Sequence, residues 1–215
     1  MERQVVSKKR VADHGEVLTG KREVNAMLDL VKQETERIDS RFLEPACGTG
    51  NFLAEILERK LRIVESRYRK SPIEYERNAV LAISSLYGID ILEDNVIKCR
   101  KRLFDIFFRR FSLLFKEEYR KPVQYILQHN IIWGDALTLK TAGENPKPII
   151  FSEWSPVNRS QIKRRDFAFH ELLSFTGERE KNQMFFSDLG EKVFIPDPVK
   201  TYPKIHYLKV ADADQ

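Results

Sequence analysis

The chain has 215 residues, 42% of them hydrophobic, and its 37 basic and 32 acidic side chains give a net charge of +5. A chain of this length can bury a core without disulfide or metal crosslinks. It contains no apolar run long enough to span a membrane, and only Cys47 and Cys99 are available as thiols, which excludes a four-cysteine zinc site. The four histidines lack metal-ligand spacing, so we expect no metal. The charged first residues do not resemble a signal peptide, and we expect a cytoplasmic protein.

Helices and strands are predicted to alternate along the first 150 residues. Apolar residues at three- and four-residue spacing predict helices over 22–38, from 51 onward, over 78–85 and over 94–116. Short apolar runs that end at turn residues predict strands over 40–44, 86–91, 131–133 and 149–151. Strands joined by helical crossovers predict a parallel, doubly wound α/β sheet. The segment 195–210 has three prolines and alternating apolar residues, and it is predicted to be an edge strand or a packed tail.

Three features fall at the ends of successive predicted strands, the edge at which open α/β sheets bind ligands. A loop containing Gly48 and Gly50 lets the backbone approach a ligand, and the helix that follows favours an anionic group at its N-terminus. Asp90 could accept hydrogen bonds from both hydroxyls of a ribose, and Asp135 from the amino group of an adenine. The third glycine of a dinucleotide fingerprint and the lysine of a phosphate-binding loop are missing after Gly50, which argues against NAD, FAD and nucleoside triphosphates.

The segment 42–53, FLEPACGTGNFL, resembles motif I of S-adenosylmethionine-dependent DNA adenine methyltransferases of restriction–modification systems. LYGIDI resembles motif II of that family and WGDAL resembles motif III. Residues 14–19 resemble its N-terminal motif, with Gly20 where the family usually has proline. The resemblance covers roughly residues 12–155. It implies a three-layer, Rossmann-like methyltransferase fold over residues 1–158, with 159–215 as a C-terminal extension packed on it.

The resemblance also implies a cofactor site. S-adenosylmethionine would place its carboxylate at Thr19, its ribose at Asp90 and its adenine at Asp135, and its methyl group would pass directly to an adenine amino group of DNA. The residues implied to bind the cofactor are Thr19, Glu44, Pro45, Ala46, Cys47, Gly48, Gly50, Asn51, Phe52, Asp90, Ile91, Asp135 and Ala136.

The family's catalytic motif, Asn/Asp/Ser-Pro-Pro-aromatic at the end of the fourth strand, is not matched. The lone pair of the adenine amine is delocalised into the ring, so the motif supplies oxygens that accept the amine protons and a ring that stacks on the flipped base. At this position the chain reads FSEWSPVN, with Val157 and Asn158 in place of the second proline and the aromatic residue. Trp154, Ser155 and Pro156 are the candidates for a divergent catalytic site.

Several hypotheses about function therefore stay open. The chain could transfer methyl groups by a divergent site, or bind the cofactor and need a second methyltransferase or specificity subunit, or serve as a non-catalytic cofactor- or nucleic-acid-binding scaffold. A small-molecule methyltransferase is a further hypothesis, since the fold is shared among many substrates.

The resemblance implies DNA as the partner, and three basic stretches could neutralise its phosphates. Solvated helix faces explain such stretches equally well. The chain has no room for a separate target-recognition domain, so specific reading of DNA would need a partner or these stretches. They contain Arg59, Lys60, Arg62, Arg67, Arg69 and Lys70, then Lys98, Arg100, Lys101, Arg102, Arg109 and Arg110, then Arg159, Lys163, Arg164 and Arg165.

Overall fold

The computed structural model describes residues 7–111, 117–158, 160–173, 184–186, 192–194 and 197–213. The chain is a mixed α/β protein, as its sequence predicts. The helices are α1 (Lys8–His14), α2 (Lys21–Leu30), α3 (Lys32–Thr35), α4 (Asn51–Tyr68), α5 (Pro72–Ser84), α6 (Glu93–Phe111), α7 (Arg120–Asn130) and α8 (Phe169–Leu173), with 3₁₀ turns at Glu117–Tyr119 and Tyr207–Asp212. The strands are β1 (Phe42–Glu44), β2 (Leu86–Asp90), β3 (Ile131–Asp135), β4 (Lys140–Thr141), β5 (Ile150–Asn158), β6 (Gln161–Ala168), β7 (Met184–Phe186), β8 (Lys192–Phe194), β9 (Lys200–Thr201) and β10 (Ile205–His206).

The first sheet has the order β1-β2-β3-β4. β2 pairs in parallel with both β1 and β3, and β4 is antiparallel to β3. Helices α4 and α5 connect β1 to β2, and α6 and α7 connect β2 to β3, which gives the long crossovers that parallel pairing requires. The first three predicted strands are therefore confirmed, together with their parallel arrangement. Among the described residues, no helix is both long and apolar enough to cross a membrane.

The fourth predicted strand, over 149–151, does not join the parallel sheet, and that expectation is wrong. It begins β5, which pairs antiparallel with β6 in a second sheet, where β9 and β10 also pair with β6. Residues 136–149 form a turn, β4 and a loop, so the helical crossover that would return the chain in parallel is missing. The expected domain boundary between residues 158 and 159 falls between the paired strands β5 and β6. In the predicted edge strand or packed tail, the described part is confirmed as short strands followed by a packed 3₁₀ turn.

Helix α4 packs its apolar face against β2. Leu53, Leu57, Leu61 and Val64 recur at helical spacing and are fully buried, which gives the helix one apolar face. A Cβ placed on Gly88 of β2 would lie 3.0 Å from Cδ1 of Leu53, so glycine at this position permits the close approach of helix and sheet. This packing fixes the N-terminus of α4 beside the end of β2.

A buried lysine ties the chain that enters β1 to α4. Lys60 is fully buried, and its Nζ donates to the carbonyl oxygen of Ile38 at 3.2 Å, to Oγ of Ser85 at 2.6 Å and to the carbonyl oxygen of Ser40. Burial lowers the pKa of Lys60 to about 7, because the charged ammonium loses its hydration.

Candidate functional site

A cleft of about 670 Å³ opens where β1, β2 and β3 end. Its volume lies within the range of about 300–1,000 Å³ typical of small-molecule sites. The loop after β1, the residues after β2 and β3, and the segment between α1 and α2 line it. Of the thirteen residues that the sequence implies for a cofactor, all but Gly50 are on this lining: Thr19, Glu44, Pro45, Ala46, Cys47, Gly48, Asn51, Phe52, Asp90, Ile91, Asp135 and Ala136.

Gly50 is the one residue of this set that is not on the cleft lining. It has a φ of 82°, in the left-handed region, and lies immediately before α4. A Cβ on it would lie only 2.7 Å from Sγ of Cys99, so Gly50 lets the loop pack against α6. Its N–H donates to the carbonyl oxygen of Cys47 at 2.8 Å. Gly50 therefore packs the loop against α6, on the side away from the cleft.

The loop after β1 is anchored to the end of β2. The N–H of Cys47 donates to the carbonyl oxygen of Ile89 at 2.8 Å, and the N–H of Gly48 donates to Oδ2 of Asp90 at 2.8 Å. The hydrogen bond with Cys99, followed by burial, raises the pKa of Cys47, which keeps its thiol neutral and a poor nucleophile.

The N-terminus of α4 points donors at one end of the cleft. The first helical bond runs from the N–H of Ala54 to the carbonyl oxygen of Gly50. The N–H groups of Asn51 and Phe52 precede it and have no acceptor within the helix. Both residues line the cleft. This end of the cleft is therefore suited to a carboxylate or another anion.

Asp90 is held by three donors. Its Oδ2 accepts from the N–H of Gly48, and its Oδ1 accepts from the N–H of Leu92 at 2.8 Å and from Nδ2 of Asn95 at 3.2 Å. A carboxylate offers about four acceptor positions, so one on Oδ2 remains for a ligand. The sequence suggested that Asp90 receives both ribose hydroxyls, whereas this geometry leaves room for one.

Asp135 holds the turn that follows β3. Its Oδ1 accepts from the N–H of Leu137 at 2.8 Å and its Oδ2 from Oγ1 of Thr138 at 3.0 Å. The backbone hydrogen bond from Leu137, followed by the bonds from Thr138, lowers the pKa of Asp135. The carboxylate is thus ionised at neutral pH, and it keeps at least one acceptor position for an amino group.

The charged groups on the cleft lining are all acidic. Glu16, Glu44, Asp90 and Asp135 line it, and no lysine or arginine does so in the part of the chain that the structure describes. Arg10 pairs with Glu16 from outside the lining. Clefts lined by one sign of charge concentrate ligands of the opposite sign, so this cleft favours a ligand with a cationic centre.

Some lining residues were not predicted from the sequence. Val17 and Leu137 are exposed at the cleft, together with the predicted Ile91, and they form an apolar rim. Most of the unpredicted residues adjoin predicted ones along the chain, so adjacency was the signal that could have found them. Asn95 is different, because it lies on α6 and reaches back to Asp90. The unpredicted residues are Gly15, Glu16, Val17, Leu18, Thr49, Leu92, Asn95, Gly134 and Leu137.

The three candidate catalytic residues lie elsewhere. Trp154, Ser155 and Pro156 are on β5, and none of them lines the cleft. Trp154 is buried and its Nε1 donates to Oδ1 of Asn130 at 2.9 Å. Ser155 and Pro156 are paired with residues of β6. The structure does not bring these residues together with the carboxylates of the cleft.

Part of the basic stretches is also internal. Arg59, Lys60 and Arg164 are buried. Nε of Arg59 lies 3.3 Å from Oε1 of Glu55, and its guanidinium also reaches Asp29 at 2.8 Å. Buried cations that are bound to their own neighbours do not contact phosphates. Nucleic-acid contact therefore stays a prediction, and only for the exposed members of these stretches.

Comparison with known proteins assigns no family. No family model matches the chain, and no curated protein and no solved structure matches it. Within the described residues, no group of three or more His, Cys, Asp or Glu side chains is arranged to hold a metal ion. Any functional assignment has to rest on the geometry of the cleft.

Proposed function

We propose that the chain has a three-layer, Rossmann-like methyltransferase fold whose cleft binds S-adenosylmethionine. The observation that carries the proposal is convergence. Twelve residues named from sequence motifs, spread from Thr19 to Ala136, line one cleft at the ends of three parallel strands. If the glycine loop were only a turn, its geometry alone would not bring the ends of β2 and β3 to the same cavity.

The groups on the lining fit this cofactor. The N–H groups at the start of α4 suit its carboxylate, and the acidic lining suits its ammonium and sulfonium charges. Asp90 has one acceptor position for a ribose hydroxyl, and Asp135 has acceptor positions for the adenine amino group. The apolar rim at Val17, Ile91 and Leu137 can cover the faces of the ring.

The reaction that we propose is methylation of an adenine amino group in DNA, in a cytoplasmic restriction–modification system. The bound cofactor supplies an activated methyl group. The chain's own residues bind and orient that cofactor. Because Trp154, Ser155 and Pro156 lie outside the cleft, we further propose that a second methyltransferase or specificity subunit supplies the groups that accept the amine protons and read the DNA.

The same observation supports a second candidate, a non-catalytic subunit that uses this fold as a cofactor- or nucleic-acid-binding scaffold. The two candidates differ in whether adenine is methylated when the partner is present. N6-methyladenine, measured by mass spectrometry in the DNA of a host that lacks adenine methylation, distinguishes them when the chain is produced with each candidate subunit. Methylation that disappears with Asp90→Ala supports the enzyme, and its absence with every subunit supports the scaffold.

The cofactor assignment is tested by calorimetric titration of the purified chain with S-adenosylmethionine. We expect saturable binding that Asp90→Ala abolishes. Asp105→Ala is the matched control, because Asp105 is an exposed carboxylate that does not line the cleft. Circular dichroism confirms that each variant is folded. Absence of binding by the unaltered chain, or equal losses in both variants, would overturn the assignment.

A further inference from the structure

A buried hydrogen-bond network links α1 to the carboxylate of Asp90. The guanidinium of Arg10 donates to Oε1 of Glu16 at 2.8 Å and to Oδ1 of Asn95 at 3.0 Å. Nδ2 of Asn95 then donates to Oε1 of Glu16 at 2.7 Å and to Oδ1 of Asp90 at 3.2 Å. The side chain of Glu16 is 8% exposed and Asn95 is 1% exposed. Four residues from four different elements thus meet at the cleft, and three of them, Glu16, Asp90 and Asn95, line it.

The chemistry of its neighbours fixes the orientation of the Asn95 amide. Arg10 has only donors, so it requires the amide oxygen on its side. Glu16 and Asp90 have only acceptors when ionised, so they require the NH₂ group on theirs. Reversing the amide would oppose donor to donor and acceptor to acceptor. Asn95 therefore has one stable orientation, and Arg10 and Glu16 together set it.

This orientation helps to fix the rotation of the Asp90 carboxylate. Asn95 and the N–H of Leu92 fill both acceptor positions of Oδ1, while Gly48 fills one position of Oδ2. The one remaining position is on Oδ2, and Asp90 lines the cleft. Without Asn95, the carboxylate would lose one of the three donors that hold it in this rotation, and the direction of the open position would be less strictly fixed.

We propose that Asn95 and Glu16 are positioning residues, which build selectivity for a ribose hydroxyl by fixing the rotation of the Asp90 carboxylate and hence the direction of its one open acceptor position. This inference rests on the proposed binding of an adenosine cofactor. The further point is that selectivity for ribose over deoxyribose depends on Asn95 and Glu16 as well as on Asp90, the residue proposed to contact the ribose. The segment between α1 and α2 is then part of the nucleoside site, since Glu16 connects it to Asp90 through Asn95.

The test measures ribose selectivity directly. Adenosine, 2′-deoxyadenosine and 3′-deoxyadenosine compete with labelled S-adenosylmethionine for the full chain, and selectivity is the ratio of inhibition constants for each deoxy analogue and adenosine. A hydrogen bond to a charged acceptor predicts that one analogue binds about tenfold or more weakly than adenosine to the unaltered chain. In Asn95→Ala we expect that ratio to fall below about threefold, while the melting temperature still reports a folded protein.

Three comparisons make the test specific. Asp94→Ala is the matched control, because Asp94 shares Arg10 but neither lines the cleft nor bonds Asp90, and it should keep the full ratio. Adding Asn95→Ala to Asp90→Ala should change nothing further. Glu16→Gln keeps one acceptor for Asn95 and should give an intermediate ratio; it also carries the test if Asn95→Ala does not fold.

The outcomes separate this inference from the proposed function. If the unaltered chain does not bind S-adenosylmethionine, the proposed function fails and this inference fails with it. If the chain binds the cofactor and the folded Asn95→Ala or Glu16→Gln variant keeps the full ratio, the inference alone is overturned. A lost ratio in Asn95→Ala with a retained ratio in Asp94→Ala supports it.

Discussion

The cleft and the second sheet both hold charged side chains by hydrogen bonds, and they use them in opposite ways. At the cleft, Asp90 and Asp135 are fixed by hydrogen bonds, and each keeps at least one acceptor position open. In the second sheet, Arg164 and Asp166 bond mainly to each other and to neighbouring polar groups, and they are buried between aromatic rings. The first arrangement can receive a ligand, whereas the second closes on itself.

The second sheet shows how complete the internal pairing is. Nε and a terminal nitrogen of Arg164 donate to the two oxygens of Asp166 at 2.8 and 2.9 Å. Oγ of Ser152 and the hydroxyl of Tyr202 donate to the same carboxylate at 2.7 and 3.0 Å. The ring of Tyr202 lies 4.2 Å from the guanidinium carbon, close enough for a cation–π interaction. All of these partners are internal, so the network stabilises the sheet.

Buried charge alone therefore does not identify a ligand-binding site in this protein. The segment FSEWSPVN stands at the position that corresponds to the catalytic motif of DNA adenine methyltransferases. Its Ser152 and Trp154 nevertheless donate hydrogen bonds to other residues inside the protein. The cleft differs because its carboxylates keep hydrogen-bond acceptor positions that no group inside the protein uses. Four variants test that distinction.

The largest effect is expected from Arg164→Met, which leaves Asp166 buried without its cation. An uncompensated buried charge typically costs about 3–5 kcal/mol, so the free energy of unfolding should fall by that amount. Urea denaturation measures it, and Lys163→Met on the same strand should change it by less than about 0.5 kcal/mol. Equal stabilities of the two variants would mean that the network does not stabilise the sheet.

At pH 9.5, where Lys60 is neutral in the folded chain, Lys60→Met should cost about 2–4 kcal/mol, because the carbonyl oxygen of Ser40 and Oγ of Ser85 lose a donor. The pKa of Lys60 is about 7 in the folded chain and has an ordinary value of 10.5. Between these values the unfolded chain binds one more proton, so the lysine contributes more stability as the pH rises from 7 toward 10.5. The stability difference between the chain and Lys60→Met should grow with pH by about 1 kcal/mol per unit. Denaturation at pH 7.5, 8.5 and 9.5 measures this, and a difference that shrinks with pH contradicts the assignment.

Trp154→Phe should lower the free energy of unfolding by about 1–3 kcal/mol, because Oδ1 of Asn130 loses its buried donor. Affinity for S-adenosylmethionine should stay unchanged, since Trp154 does not line the cleft. Thermal denaturation and calorimetry on the same sample separate the two effects. Ser155→Ala is the control and should alter neither quantity. A tenfold loss of affinity in a folded Trp154→Phe variant would place this residue in the binding site after all.

The smallest effect is expected from Glu44→Gln, which removes one negative charge from the cleft. Partly exposed charges interact weakly, so affinity for S-adenosylmethionine should fall about two- to fivefold, and less at high salt. Affinity for the neutral thioether product, S-adenosylhomocysteine, should fall less, because that ligand lacks the sulfonium charge. Glu93→Gln is the matched control, as Glu93 is exposed outside the lining. A larger loss for the thioether would contradict the electrostatic account.

The sequence alone predicted much of the first sheet and most of the candidate site. The apolar runs that become β1, β2 and β3 end in the loop and in Asp90 and Asp135, so local pattern was enough to name them. Parallel strands joined by helices place their ends at one edge, which is why Glu44, Asp90 and Asp135 converge. Short-range order and chain topology determined these features together.

Only the tertiary structure decided the remainder, because it depends on contacts between residues far apart in sequence. Asn95 belongs to the site because its side chain donates a hydrogen bond to Asp90 at the end of β2. Gly50 is not on the cleft lining, and Sγ of Cys99 fills the space beside it. Residues 149–151 looked like another parallel strand, but the missing crossover helix and the long pairing with β6 placed them in a second sheet. Burial of Arg59, Lys60 and Arg164 likewise depends on partners that no local pattern specifies. Motifs fixed which residues could act, and long-range packing decided which of them keep an acceptor or donor free to do so.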